Sequence, residues 1–139
     1  MDDLDAIFRL SQKALVENWS FQSLHAAIAS GYELLLCESD EGLAGYLLSL
    51  SVLDEVQIMQ IAVAEPCRRQ GLANRMTLHL IAEKMYIAVI SLEVRESNKA
   101  ARQLYDGLGF VECGRRKNYY SPDISGKRED AVLMTKKLH

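Results

Sequence analysis

The apolar positions at the start of the chain keep helical spacing: Leu4, Ile7, Phe8, Ala14 and Leu15 share one face, with Asp2 or Asp3 available as the N-cap. A second helix is predicted from Ser20, its N-cap, through Phe21, Leu24 and Ile28 to a stop at Gly31. Tyr32–Cys37 and Leu43–Val52 then read as strands joined by a tight turn at Asp40-Glu41-Gly42, and Asp54-Glu55 ends that hairpin. Gln57–Ala64 reads as a third strand, given β-branched bulk by Ile58, Ile61 and Val63. Helical spacing returns from Gly71 to about Lys84, where Leu72, Ala73, Met76, Thr77, Leu80 and Ile81 form one stripe and Met76 is expected in the core. Ile87–Val94 is nearly all apolar, as a mid-sheet strand buried on both faces would be. Ser97 is the expected cap of a helix Asn98–Leu108, which Gly109 ends and on which Phe110 folds back. A strand over about Phe110–Lys117, a polar loop Asn118–Asp130 with Pro122 and Gly126, and a last strand Ala131–Leu138 complete the pattern.

A hairpin followed by alternating strands and helices predicts an α/β (α+β) fold, a central mixed sheet with helices on both faces. The 139 residues suit a single domain, 1–139, able to bury about two-thirds of its unfolded surface. With 49% hydrophobic and 25% charged residues, disorder is excluded. No apolar run approaches the ~18 residues needed to span a bilayer, and Met1-Asp2-Asp3 has the wrong charge for a signal peptide. A cytoplasmic protein is therefore expected, a monomer or weak dimer with no membrane or direct nucleic-acid partner. Cys37, Cys67 and Cys113 have no C-x-x-C spacing, and His25, His79 and His139 lie far apart, so neither a disulfide framework nor a metal site is expected.

Charge divides the chain. Residues 1–60 hold ten acidic and two basic side chains, a balance of −8, and residues 61–139 hold nine and fourteen, a balance of +5. One half suits a cationic partner and the other an anionic one. The anion has a specific candidate site in Arg68-Arg69-Gln70-Gly71-Leu72-Ala73, which follows a strand and opens a helix. Backbone N–H groups and the positive end of the helix dipole converge there, as a diphosphate requires, and Gly71 and Ala73 let the backbone approach closely. A Walker loop would need Gly-Lys-Ser/Thr and a dinucleotide loop two further glycines, and both are absent.

This loop resembles the acetyl-CoA diphosphate motif of the GNAT acetyltransferases, Gln/Arg-x-x-Gly-x-Gly/Ala, through Arg68, Gly71 and Ala73. Leu92-Glu93-Val94-Arg95-Glu96-Ser97-Asn98-Lys99-Ala100-Ala101 and Leu104-Tyr105-Asp106-Gly107-Leu108-Gly109-Phe110 are similar to that family in order and spacing. The resemblance implies the GNAT fold, with the family's first strand missing or very short, and Tyr86 where relatives often have a turn glycine. Arg115–Tyr120 and Arg128–Met134 resemble members that acetylate protein N-termini. That likeness implies acetyl-CoA as co-substrate, no metal, and as acceptor the N-terminal alanine of a small-subunit ribosomal protein.

The resemblance also implies roles. Glu93 is the expected general base, acting through water with its carboxyl raised by an apolar setting, and Tyr105 the expected general acid. Ile61, Ala62 and Val63 are expected to pair with the pantetheine amides as an added strand would, with Arg68, Arg69, Gln70, Gly71, Leu72 and Ala73 on the diphosphate. Asn98 is expected on the pantetheine arm and Tyr105 near the sulfur. Trp19, Phe21, Tyr119, Tyr120 and Asp130 are candidates for peptide contact, although Trp19 and Phe21 read equally as core. Two other readings stay open: acetyl transfer to a small-molecule amine, and a non-catalytic acyl-CoA-binding module. The Tyr119-Tyr120 loop with Arg128-Glu129-Asp130 speaks against the first, Glu93 with Tyr105 against the second.

Overall fold

A computed structural model describes residues 3–17 and 19–138; Met1, Asp2, Asn18 and His139 lie outside the described residues, so Asp2 as a cap is not assessed. The elements in chain order are α1 (Asp3–Ala14), α2 (Phe21–Ala29), β1 (Glu33–Ser39), β2 (Gly42–Val52), β3 (Glu55–Val63), a single 3-10 turn (Glu65–Cys67), α3 (Leu72–Glu83), β4 (Val89–Arg95), α4 (Lys99–Gly107), β5 (Val111–Arg116) and β6 (Ala131–Lys137). Among the described residues no strand precedes α1, in line with the expected absence. The chain divides into two compact units, Met1–Ser51 with Ile58–Lys84, and Val52–Gln57 with Met85–His139.

In the first unit, β1 and β2 pair antiparallel from Glu33↔Ser49 to Ser39↔Gly42, with a bulge between Cys37 and Glu38, and β3 follows β2 in the sheet. The link between β2 and β3 differs from expectation. Leu53-Asp54 forms a two-residue turn rather than a break, with Leu53 at φ 56° and almost fully exposed. A leucine gives no turn signal, so the second hairpin was illegible. Ile7 and Leu10 of α1, Leu24 of α2, Tyr46 and Leu48 of β2 and Ala62 of β3 form the core of this unit. Apolar burial on this scale, ~1.5–3 kcal/mol per large side chain, is what pins two short helices to the sheet. Ser20 caps α2 as predicted, its Oγ accepting the Ser23 amide at 3.1 Å. One polar pair is buried within the core: the Tyr46 hydroxyl donates to Gln60 Oε1 at 2.7 Å, while Gln60 Nε2 finds no partner among the described residues.

Helix α3 is fixed at both ends. Near its start Leu72 and Met76 lie over Gly45 of β2; a Cβ on Gly45 would fall 2.8 Å from the Ala62 carbonyl and 3.2 Å from each of those side chains. Met76 is buried, as expected. Past its end, Lys84 Nζ donates to both carboxylate oxygens of Glu33 on β1 at 3.0 Å. The Lys84 hydrogen bond, with help from Ser51, holds the Glu33 carboxyl below its ordinary value of 4.5 against a partial desolvation that raises it.

In the second unit β6 pairs antiparallel with β4 on one side and β5 on the other. The extra residue Cys113 makes a bulge in β5. Strand β4 is not buried on both faces as expected. Ile90, Leu92 and Val94 are buried while Glu93 between them is exposed, so the strand alternates with period two. The helix after it is capped by Asn98, not Ser97: Asn98 Oδ1 accepts the Ala101 amide at 3.1 Å. Gly109 at φ 92° turns the chain back, so that Phe110 bonds the Tyr105 carbonyl at 2.9 Å and its ring meets Tyr105 edge-on at 5.4 Å.

Two stability predictions follow from the anchoring of α3. Gly45→Ala overpacks backbone against backbone and is expected to cost about 1–3 kcal/mol; denaturant unfolding with an unchanged midpoint would show that the contact gives way freely. Glu33→Gln removes a carboxylate whose folded pKa is depressed, so its contribution is whole above the unfolded value and lost as pH falls through the folded one. The Glu33 side chain is about half exposed, so solvent screening limits the expected loss to about 1 kcal/mol near neutrality. A stability difference that persisted undiminished at about pH 3 would contradict the ion-pair account.

Candidate active site

The first unit carries the loop expected to hold a diphosphate. After the 3-10 turn, Arg69 takes φ 64° and Gly71 φ 74°, and Gly71 becomes the N-cap of α3 with no side-chain cap. The Arg68 amide still bonds the Glu65 carbonyl, and the Arg75 amide bonds the Gly71 carbonyl. Among the described residues none of the six amides from Arg69 to Asn74 finds a backbone acceptor. Six unpaired amide donors thus stand at the positive end of a twelve-residue helix. A Cβ built on Gly71 meets nothing within 4 Å, so the space above the turn is open. Gln70 Nε2 is tied back to the Pro66 carbonyl at 3.3 Å, which braces the loop from behind. Arg68 does not project freely: its Nε donates to the Val63 carbonyl at 3.1 Å, occupying one lone pair of a group expected to pair with pantetheine. On β3, Ala62 is buried and Ile61 and Val63 half-buried. Trp19 and Phe21 are packed, Trp19 edge-on to Tyr32 at 6.1 Å and Phe21 edge-on to Phe8 at 5.6 Å.

The second unit sorts its chemistry by strand face. Leu92 lies opposite Met134 and Val94 opposite Val132, and on that face α4 covers the sheet, its Lys99, Arg102, Gln103 and Asp106 bordering a groove of about 380 Å³ with Val132 and Met134. Tyr105, on the same helix, is 4% exposed, and burial pushes its phenol well above the usual value. It is a group that keeps its proton.

Glu93 points to the other face. Register places Glu93, Leu133 and Gly114 in one row and Arg95, Ala131 and Arg116 in the next. Across that diagonal Arg116 Nε reaches Glu93 Oε1 at 3.2 Å, so the carboxylate sits in a part-solvated ion pair and not in the apolar setting expected. The same face carries the loop after β5. Arg116 lies 5.4 Å from the Tyr119 ring centroid, Arg95 4.4 Å from that of Tyr120, and the two tyrosines meet edge-on at 5.1 Å. Asp130 Oδ1 accepts the Asn118 amide at 3.0 Å. Asn98 spends its carbonyl oxygen on the cap, which leaves the two hydrogens of its Nδ2 for another acceptor.

Comparison with known proteins decides the family. Residues 7–120 match the family described as "Acetyltransferase (GNAT) domain". The chain belongs to the GNAT acetyltransferase family. It is 38% identical over 134 residues to the [ribosomal protein bS18]-alanine N-acetyltransferase of Escherichia coli strain K12, covering 95% of this chain and 89% of that protein. It is 34% identical to the enzyme of the same name from Haemophilus influenzae, covering 95% and 90%. The crystal structure of the ribosomal-protein-S18-alanine N-acetyltransferase from Escherichia coli superimposes with a TM-score of 0.90 at 36% identity, over 98% of this chain and 88% of that one. The fold is thus the GNAT fold and the chain an N-acetyltransferase, as the motifs implied.

Among the described residues no three His, Cys, Asp or Glu side chains gather as metal ligands, and no helix is long and apolar enough to cross a membrane. Sequence reasoning missed Arg116 as the partner of Glu93 and Arg95 beneath Tyr120. The only available signal was a basic residue recurring on alternate positions of neighbouring strands.

Since Tyr105 is held by packing, Tyr105→Phe is expected to keep stability within about 1.5 kcal/mol of the parent. A spectrophotometric titration of the parent should show two tyrosines, Tyr105 and the buried Tyr46, ionising well after the exposed ones, and Tyr105→Phe should remove one of the two; a late fraction that Tyr105→Phe leaves unchanged would contradict the burial of its phenol.

Proposed function

We propose that residues 1–139 act as one acetyltransferase domain that moves the acetyl group of acetyl-CoA to the N-terminal α-amine of a protein, the mature alanine of ribosomal protein bS18 being the acceptor named for its relatives in Escherichia coli and Haemophilus influenzae. The reading is carried by one observation: Glu93 shares a strand face with Tyr119, Tyr120, Arg95 and Arg116, while Tyr105 belongs to the opposite face. A peptide amine delivered beside the tyrosine loop meets a base, and the sulfur it displaces from the same carbonyl carbon takes its proton from Tyr105. Cytoplasmic residence follows from the acceptor.

Bound acetyl-CoA supplies the activated acetyl group, as a thioester. The amides of Arg69, Gln70, Gly71, Leu72 and Ala73 hold its diphosphate, with Arg68 adding charge, and this fits the open, unpaired donors of the loop. Backbone groups of Ile61, Ala62 and Val63 pair with the pantetheine amides, helped by Asn98 Nδ2. Arg68 must then share or release the Val63 carbonyl. Glu93 takes the proton of the attacking amine, directly or through water, and Tyr105 gives its proton to the departing sulfur. Tyr119, Tyr120 and Asp130 border the peptide.

Glu93→Gln and Tyr105→Phe are each expected to lower kcat by about 10²–10⁴ while acetyl-CoA affinity by calorimetry stays within a few-fold. Normal turnover in both would remove this mechanism. Incubation with acetyl-CoA and peptides beginning Ala or Met, or carrying only an internal Lys amine, followed by mass spectrometry, tests the acceptor. The acetyl group is expected on the Ala α-amine; a preference for the lysine would overturn the assignment.

A further inference from the structure

The segment between β5 and β6 is a fourteen-residue polar stretch, residues 117–130, of a length that often stays loose in small domains. Here it is tied at both ends. At its tip Asp123 accepts from the Ser125 amide, the Ser125 hydroxyl and the Lys127 amide at 2.6–3.0 Å. At its base the amides of Tyr119 and Tyr120 both donate to the Glu129 carbonyl, at 3.0 and 3.2 Å.

The Glu129 side chain makes a second set of bonds. Its Oε2 accepts Arg95 Nη1 at 2.7 Å and its Oε1 accepts the Ser97 amide at 3.2 Å, each side chain of the ion pair being only 20% exposed. The guanidinium so fixed lies 4.4 Å from the centroid of the Tyr120 ring. One residue therefore grips the two tyrosines through its backbone, grips β4 and the start of α4 through its carboxylate, and sets the plane on which Tyr120 rests. The hydrogen bond to Ser97 and the Arg95 charge also hold the Glu129 carboxyl below its usual range, so it stays ionised through neutral pH.

We propose that Glu129 and Arg95 are positioning residues of the acceptor site, a clamp that presents Tyr119 and Tyr120 to the incoming peptide without touching it. This rests on the reading that the tyrosine loop borders the acceptor. The geometry gives each clamp member a distinct part. Glu129 supplies the directional bonds, and Arg95 converts them into a fixed ring orientation, since a planar guanidinium both pairs with a carboxylate and stacks on an aromatic face. Lysine in its place keeps the charge and loses the plane. The two side chains act through one another, so removing both should cost little more than removing one.

The test uses the full chain with Glu129→Gln, Arg95→Gln, the double variant and Arg95→Lys. Hydrogen exchange at the Tyr119 and Tyr120 amides reports the clamp, and exchange along β6 controls for global unfolding. In Glu129→Gln those two amides are expected to exchange about tenfold faster than in the parent, the scale of one lost charge-assisted hydrogen bond. The KM for an Ala-first peptide should rise by a similar factor with acetyl-CoA affinity within about twofold, the double variant should match the worse single one, and Arg95→Lys should recover part of the loss. Unchanged tyrosine-amide exchange, or additive losses in the double variant, overturns the clamp. Faster exchange with an unchanged peptide KM leaves the clamp standing as a structural device but removes the acceptor from this loop.

Discussion

Two left-handed residues, Arg69 at φ 64° and Gly71 at φ 74°, fix how the first unit can meet an anion. They turn the chain where six consecutive amides stay without a backbone acceptor before the helical ladder begins at Arg75. Glycine takes this conformation without strain; arginine does so at a cost of about 1–2 kcal/mol. The rest of the unit makes that arrangement hold. Gly45 admits α3 against β2 at a spacing no other residue allows, Lys84 pins the far end to Glu33, and Gln70 braces the loop on Pro66. The placement of these amides is thus set by contacts at both ends of the helix they open.

In the second unit the organising constraint is the period of a strand. Because β4 alternates, the side chains that fill the core under α4 and those that carry charge cannot mix. Tyr105 inherits the dry face, where a phenol remains protonated, and Glu93 the wet one, where Arg116 and the tyrosine loop reach it. The bulge at Cys113 matters here. It shifts the register so that Gly114, which has no side chain to obstruct, lies level with Leu133, and Arg116 can cross the row toward Glu93. The phenol and the carboxylate are thus assigned to opposite faces by the strand period alone.

Local signals carried most of the elements. The α2 cap at Ser20, the Gly109 reversal with Phe110 folded back, and the loop that opens α3 were legible because each is fixed by a few neighbouring residues and one backbone conformation. The Leu53-Asp54 turn was not, since its left-handed residue is a leucine, which carries none of the turn signal that Gly, Asn or Asp would. The cap of α4 moved by one residue because Ser97 and Asn98 are both competent, and the pull of Glu129 on the Ser97 amide settles which is used. The setting of Glu93 could not be read along the chain at all. Its partner stands two strands away in space, and its burial depends on alternation that an almost uniformly apolar run conceals.

The corrected setting of Glu93 sharpens the choice of acceptor in the proposed reaction. Only a neutral amine attacks a thioester, and at pH 7 an α-amine of pKa ~8 reaches that state for about 1.4 kcal/mol, a lysine of pKa ~10.4 for about 4.6 kcal/mol. Glu93, which reaches Arg116 at 3.2 Å beside solvent, has only the smaller demand to meet when the acceptor is a chain terminus. Arg116 adds a second discrimination. An incoming ammonium carries the charge that Arg116 already places on Glu93, so the acceptor must compete for the carboxylate or arrive neutral. The weaker the amine's hold on its proton, the smaller that penalty. Both considerations favour a chain terminus over a side-chain amine, and neither depends on which protein supplies it.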